Sequence, residues 1–307
     1  EQIRPFANER WLIFVPFVGL VFGLTATAFL LLSRRDLGGG LLPTRPGPTA
    51  ASPGFRSPLS LAWRLHRDLL IGWTVAFAVL GAAIGGIAAS IGDLFKDSPQ
   101  IQDIIARLGG RAGIMDAYFA GIMGLFALVA AGYAIQATSR MRSEETGLRG
   151  EPVLATSVGR LQWATSHLLF SVLGSMIVLA SAGLTAGVIH GINVHDLTTQ
   201  LPRVMASAMV QLPALWVLVG IAVALFGLFP KLTGLSWVAL ALFVLLGLIG
   251  SVVQLPKWTL DISPFTHIPK VPGGEFSAMP LIILVGLAAL LIVIGLVRFR
   301  HRDFGRV

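Results

Sequence analysis

Seven predominantly apolar runs, each long enough to cross a bilayer, constrain this chain more than any motif it carries. They occupy residues 11–32, 69–91, 114–137, 168–190, 204–229, 236–253 and 281–297. A hydrocarbon core of about 30 Å takes roughly 20 apolar residues as a helix, and in lipid each crossing must satisfy its own backbone hydrogen bonds. The expected fold class is an all-α polytopic membrane protein with about seven transmembrane helices. Only 12% of the residues are charged, 55% are hydrophobic, mean hydropathy is +0.80 and cysteine is absent. That balance excludes a disordered chain, a disulfide-stapled secreted domain and an ordinary soluble enzyme. The fifth run contains Gln211 and Pro213, a combination a membrane helix tolerates when neighbours satisfy the freed carbonyl.

The basic residues are unevenly placed. Segments 33–68, 138–166, 230–235 and 298–307 hold six, four, one and four Lys or Arg, and the opposite segments hold the other eight. The positive-inside rule puts the richer segments in the cytoplasm, so the first span is expected to run inward and the C-terminus to be cytoplasmic. Orientation and anionic headgroups account for the net charge of +8, and no nucleic-acid partner is expected.

Two span ends echo one another. The first ends Ser33-Arg-Arg-Asp36 and the last Arg298-Phe-Arg-His-Arg-Asp303. They are either unrelated basic stops or the mark of a duplication. In the second case the first span closes an upstream repeat and the remaining six form a second. The chain opens on Glu1 close to a hydrophobic run, which favours duplication and a longer parent protein. A Gly/Pro-rich stretch at 37–56 reads as a flexible linker. After it, residues 57–68 have an amphipathic pattern, with Leu59, Leu61, Ala62 and Leu65 set for lipid and Arg64 and Arg67 for headgroups.

Enzymatic motifs are missing. No Gly-Lys-Ser/Thr triplet forms a phosphate loop, and no serine stands in a Gly-x-Ser-x-Gly elbow. The six histidines include no helical zinc pair, and His190 and His195 are expected to be solvated in an outer loop. No catalytic, metal or cofactor residues are expected. Asp116 reads as a charge in the first turn of its helix. The glycine pairs Gly81/Gly85 and Gly187/Gly191 permit close helix approach.

The strongest functional candidate is the loop 138–166. Its charges at Arg140, Arg142, Glu144, Glu145, Arg149 and Glu151 flank a helix broken at Gly147 and Gly150. It is either a docking elbow for a soluble partner or a solvated loop whose ion pairs contribute under about 1 kcal/mol each. Segment 254–280, with five prolines and three large aromatics, suits short broken helices at the outer headgroup layer. Trp73, Phe77, Phe119 and Trp216 are candidate substrate contacts, with helix packing as the competing role.

The stretches Arg34–Pro48, Ser57–Arg64, Ser143–Thr156 and Ser263–Pro272 resemble the membrane subunit of ABC-2-type exporters, in particular bacterial exporters of polyketide antibiotics such as tetronasin. The resemblance implies two six-span repeats in one parent chain, of which this sequence holds the last span of the first and all of the second. It implies a connecting helix at 57–68 and a six-helix transmembrane domain at 69–307. Glu144, Glu145, Gly147, Arg149, Glu151 and Pro152 look like the region that docks on an ATPase, and 230–234, with Lys231, like a second contact. Segment 254–280 looks like the extracellular re-entrant helices. The implied partners are two copies of a cytoplasmic ABC ATPase carrying MgATP, the upstream half of the permease, membrane lipids and a hydrophobic small molecule or lipid as substrate. The implied location is the bacterial plasma membrane. A non-transporting anchor that docks a partner through 138–166 is the alternative.

Overall fold

The computed structural model describes residues 15–33, 57–94, 110–248, 250, 253 and 255–303. The expected linker at 37–56 and the Arg34–Asp36 span end lie outside them. The described residues form helices and turns without a strand, in two units, 1–52 and 53–307. In the first unit, helix α1 (Val15–Ser33) is apolar. The hydroxyls of Thr25 and Thr27 donate to the carbonyls of Val21 and Gly23 at 2.7 Å, which leaves no polar group seeking water.

The second unit contains α2 (Pro58–Leu94), α3 (Gly110–Thr146), α4 (Gly150–Leu154), α5 (Arg160–Asn193), α6 (Leu197–Met209), α7 (Leu212–Leu228), α8 (Leu235–Leu248), α9 (Lys257–Leu260) and α10 (Ala278–His301). Tight 3-10 turns lie at Pro230–Leu232 and Pro264–His267. Among the described residues, five helical stretches are long and apolar enough to cross a membrane, and Val18–Ser33 and Leu235–Leu248 are shorter apolar helices. These match the seven apolar runs.

Helix boundaries depart from the hydropathy limits. Both α2 and α3 have 37 residues, about 55 Å at 1.5 Å per residue, well beyond a bilayer core. Residues 58–68 are the first turns of α2 rather than a separate helix. Ser57 caps that start, its Oγ accepting from the Ser60 N–H at 3.2 Å, and Pro58 follows at the first helical position. Ala62, His66 and Leu70 recur every four residues and are buried, so this face meets protein, not lipid. The chain between them offers no breaker, and Leu and Arg are good helix formers. In the fifth run the helix does break: Val210 and Gln211 form a turn between α6 and α7. Pro213 has no N–H to give the Met209 carbonyl, and it opens α7 instead.

The helices close by backbone approach. A Cβ on Gly81 or Gly85 of α2 would overlap the Ala182 or Ala186 carbonyl of α5, and one on Gly187 or Gly191 would meet Leu201 or Leu197 of α6. The two expected glycine pairs are therefore packing surfaces. The main core gathers Tyr133, Ile135, Trp163, Leu179, Leu215, Phe226 and Phe299 from α3, α5, α7 and α10. Tyr133 fills the space above Gly174, and its hydroxyl donates to the Phe170 carbonyl at 2.9 Å.

Candidate functional site

At one end of the bundle α3 runs unbroken from its apolar portion to Thr146, the chain turns through Gly147 and Leu148, and short α4 leads back to α5. The expected elbow is thus a helix pair joined at a tip. Leu148 has φ +56, a left-handed conformation that costs a branched side chain on the order of 1–3 kcal/mol. Gly147, Leu148, Arg149, Glu151 and Pro152 are exposed at the tip.

Glu144 and Glu145 are not exposed. Glu144 lies between Arg140 and Arg149 at 3.1 Å from each. Glu145 is 0% exposed; its Oε2 accepts from Arg142 at 3.3 Å and from Arg302 at 2.8 Å. The Arg302 guanidinium also lies over the Phe226 and Phe299 rings, 4.9 and 5.4 Å from their centroids. Arg160 of α5 donates to the carbonyls of Arg300 and Arg302. The two carboxylates thus brace the elbow from within and fasten it to the end of α10. Lys231 is exposed on the turn between α7 and α8.

The opposite end holds a cavity of about 970 Å³ between α3, the end of α8, the α6–α7 break and residues 265–274. Its wall is apolar and glycine-rich, with Gly121, Gly124, Leu125 and Leu128 on α3. At its rim Asp116 accepts from Arg203 of α6 through both oxygens at 2.7 Å. Asp116 lies beyond the first turn, since α3 begins at Gly110, and it is a partner of Arg203 rather than a bare helix-end charge. Gln211 lines the cavity and is 6% exposed. Its amide has no hydrogen-bond partner among the described residues. Gln211→Leu is therefore expected to leave the thermal midpoint unchanged or slightly raised, since no protein hydrogen bond is lost. A large drop in a detergent melting assay would mean that the amide holds the α6–α7 break together.

The four candidate contacts do not form one path. Trp73 and Phe77 pack with Tyr133 and Phe126 in the main core, where Trp73 Nε1 donates to Gln136 at 3.2 Å. Phe119 is buried in a second cluster against His190. Trp216 is half-buried, and its Nε1 donates to the Val172 carbonyl at 3.4 Å. The expectation for His190 is corrected: it is 3% exposed inside α5, and His195 alone of the two is exposed. No group of three metal-binding side chains occurs among the described residues.

Residues 55–300, from the start of α2 to the last turns of α10, match the family model described as multidrug efflux system permease Rv1217c, C-terminal domain. The chain belongs to this permease family. It is 40% identical over 302 residues to the multidrug efflux system permease protein Rv1217c of Mycobacterium tuberculosis strain ATCC 25618 / H37Rv. The match covers 98% of this chain and 55% of that relative, so the chain spans about half the length of the curated permease it matches. The resemblance to the C-terminal half of an ABC-2-type exporter permease is borne out, as is the multi-pass membrane fold.

Proposed function

We propose that this chain is the second half of the membrane permease of an ABC exporter in a bacterial plasma membrane. Hydrophobic compounds leave the cell through it, and two separate ATPase subunits supply the energy from MgATP. The elbow end and the C-terminus face the cytoplasm, in keeping with the basic bias of 138–166 and 298–307. The upstream half of the same permease completes the pathway. The alternative of a non-transporting anchor gains no support from the relatives.

The braced elbow carries this proposal. A tip that pushes on its surroundings must be rigid, and here the buried Glu144 and Glu145 tie the tip to α3 and α10 while Leu148, Arg149, Glu151 and Pro152 remain outward. The strained, exposed Leu148 at the apex offers apolar surface for a partner to cover. The docking role passes from Glu144 and Glu145, which act by bracing, to the exposed tip residues and Lys231. The cavity at the opposite end suits an apolar compound with one hydrogen-bonding group to meet Gln211.

The test is retention of the ATPase by the complete permease in mild detergent. Leu148→Asp/Glu151→Lys is expected to weaken retention at least tenfold, the loss of about 1.4 kcal/mol or more, with the thermal midpoint preserved because both side chains are exposed. Retention at the wild-type level by this variant would remove the tip from the docking surface. Absence of any MgATP-hydrolysing subunit from the wild-type preparation would sink the exporter proposal itself.

A further inference from the structure

Two buried histidines have no part in the elbow or the cavity. His66, near the start of α2, and His167, in α5, are each 1% exposed, and His66 Nε2 lies 3.0 Å from His167 Nδ1. The His66 ring stacks on Phe170, with centroids 5.0 Å apart and planes at 12°, and His167 meets Trp163 edge-on at 4.9 Å. A nitrogen–nitrogen contact at this distance needs one N–H and one bare nitrogen, so the two rings hold complementary tautomers. Packing alone gives no reason for two imidazoles here, since a polar ring is costly to bury without its partner.

The pair ends a continuous series of contacts that starts at the elbow. Glu145 binds Arg302, Arg302 lies over Phe299, Phe299 lies 5.8 Å from Trp163 between ring centroids, and Trp163 meets His167, which holds His66. The charged groups facing the rings are Arg140 and Glu144 of α3, themselves an ion pair inside the elbow.

We propose that His66 and His167 form a hydrogen-bonded joint that carries movement of the elbow into α2, a positioning pair for coupling ATP hydrolysis to transport. The joint rests on the exporter proposal and adds to it which helix follows the elbow. Neither histidine lines the cavity. A rigid hydrogen bond between rings transmits displacement where two apolar side chains would slip. A second proton would set two N–H groups against each other and part the helices.

The experiment uses the complete permease with its ATPase in lipid vesicles, reading export per ATP hydrolysed and ATPase retention side by side. His66→Phe keeps the stack on Phe170 and removes the nitrogen. The pair His66→Gln/His167→Asn rebuilds the bond without a titratable group, because the Gln amide reaches as far as Nε2 and the Asn amide as far as Nδ1. His66→Phe is expected to lower export per ATP roughly fivefold to tenfold, inside the roughly twofold to thirtyfold coupling that packed networks carry. ATPase retention should be unchanged, and the Gln/Asn pair should recover most of the loss. Wild-type coupling in His66→Phe, or a Gln/Asn pair no better than His66→Phe, overturns the joint. If His66→Phe does not fold, the Gln and Asn single and double variants form a double-mutant cycle, and zero interaction between the two positions overturns it equally. Wild-type protein that retains no ATPase is a different failure, that of the exporter proposal.

Discussion

Glu145→Ala is expected to destabilise the second unit by about 3–5 kcal/mol, the cost of removing one partner from a buried ion pair. The carboxylate is fully buried and its Oε2 joins two guanidiniums, Arg142 from its own helix and Arg302 from the far end of the chain. Both arginine side chains are themselves mostly buried, at 17% and 16% exposed. Without Glu145 they face one another with like charge. A melting midpoint in detergent should fall by roughly 10 °C for a unit of this size. The Glu145→Ala/Arg302→Leu double variant should lose less than the two single losses added, because they break one contact. Glu144→Ala is the comparison. Its carboxylate is nearly as buried, but Arg140 and Arg149 are 38% and 57% exposed and regain water when released, so a loss nearer 1 kcal/mol is expected. Equal losses at 144 and 145 would mean that α10 is not fastened to the elbow.

The same pair of residues shows where the sequence is legible and where it is not. Lipid imposes a simple rule on composition, and the seven apolar runs and the glycine approaches follow from it, whereas the fifth run, expected to continue through Pro213, instead breaks at Val210–Gln211. Hydropathy marks where a chain leaves lipid, but not where a helix ends. Arg140, Arg142, Glu144 and Glu145 are as helical as the apolar residues before them, which is why α3 runs on to Thr146. The breaker Gly147 correctly places the tip. Burial of Glu145 could not be read, because its partner Arg302 stands 157 positions away and nothing local distinguishes a braced carboxylate from a docking one. His66 and His167, 101 positions apart, were hidden for the same reason. Gln211 did leave a signal: an amide two positions before a proline in an otherwise apolar run marks a place where the backbone can open, and there the cavity lies.

Gly227→Leu is expected to have a comparably large effect, for a steric reason. Where α7 crosses α10 a Cβ on Gly227 would fall on the Gly295 carbonyl, and a Cβ on Gly295 would fall on the Val223 carbonyl. Both obstacles are backbone, so no rotamer change relieves them and the helices must part. Overpacking in a well-filled core costs about 1–3 kcal/mol when side chains can yield, and more is expected here. A Cβ on Gly220, two turns earlier, would likewise come within 2.9 and 3.0 Å of Leu291 and Ala288 of the same helix, so the crossing is close along its length. The consequence reaches the elbow, because α10 delivers Arg302 to Glu145 and Phe299 to Trp163. Gly286 of α10 supplies the control: a Cβ there meets nothing within 4 Å. Gly286→Ala should raise stability by up to about 1 kcal/mol through helix propensity alone. In melting curves of the two variants, Gly227→Leu should lie far below wild type and Gly286→Ala at or above it. A Gly227→Leu protein that melts with wild type would mean that α7 and α10 do not touch at this crossing, and that Arg302 reaches Glu145 without their support.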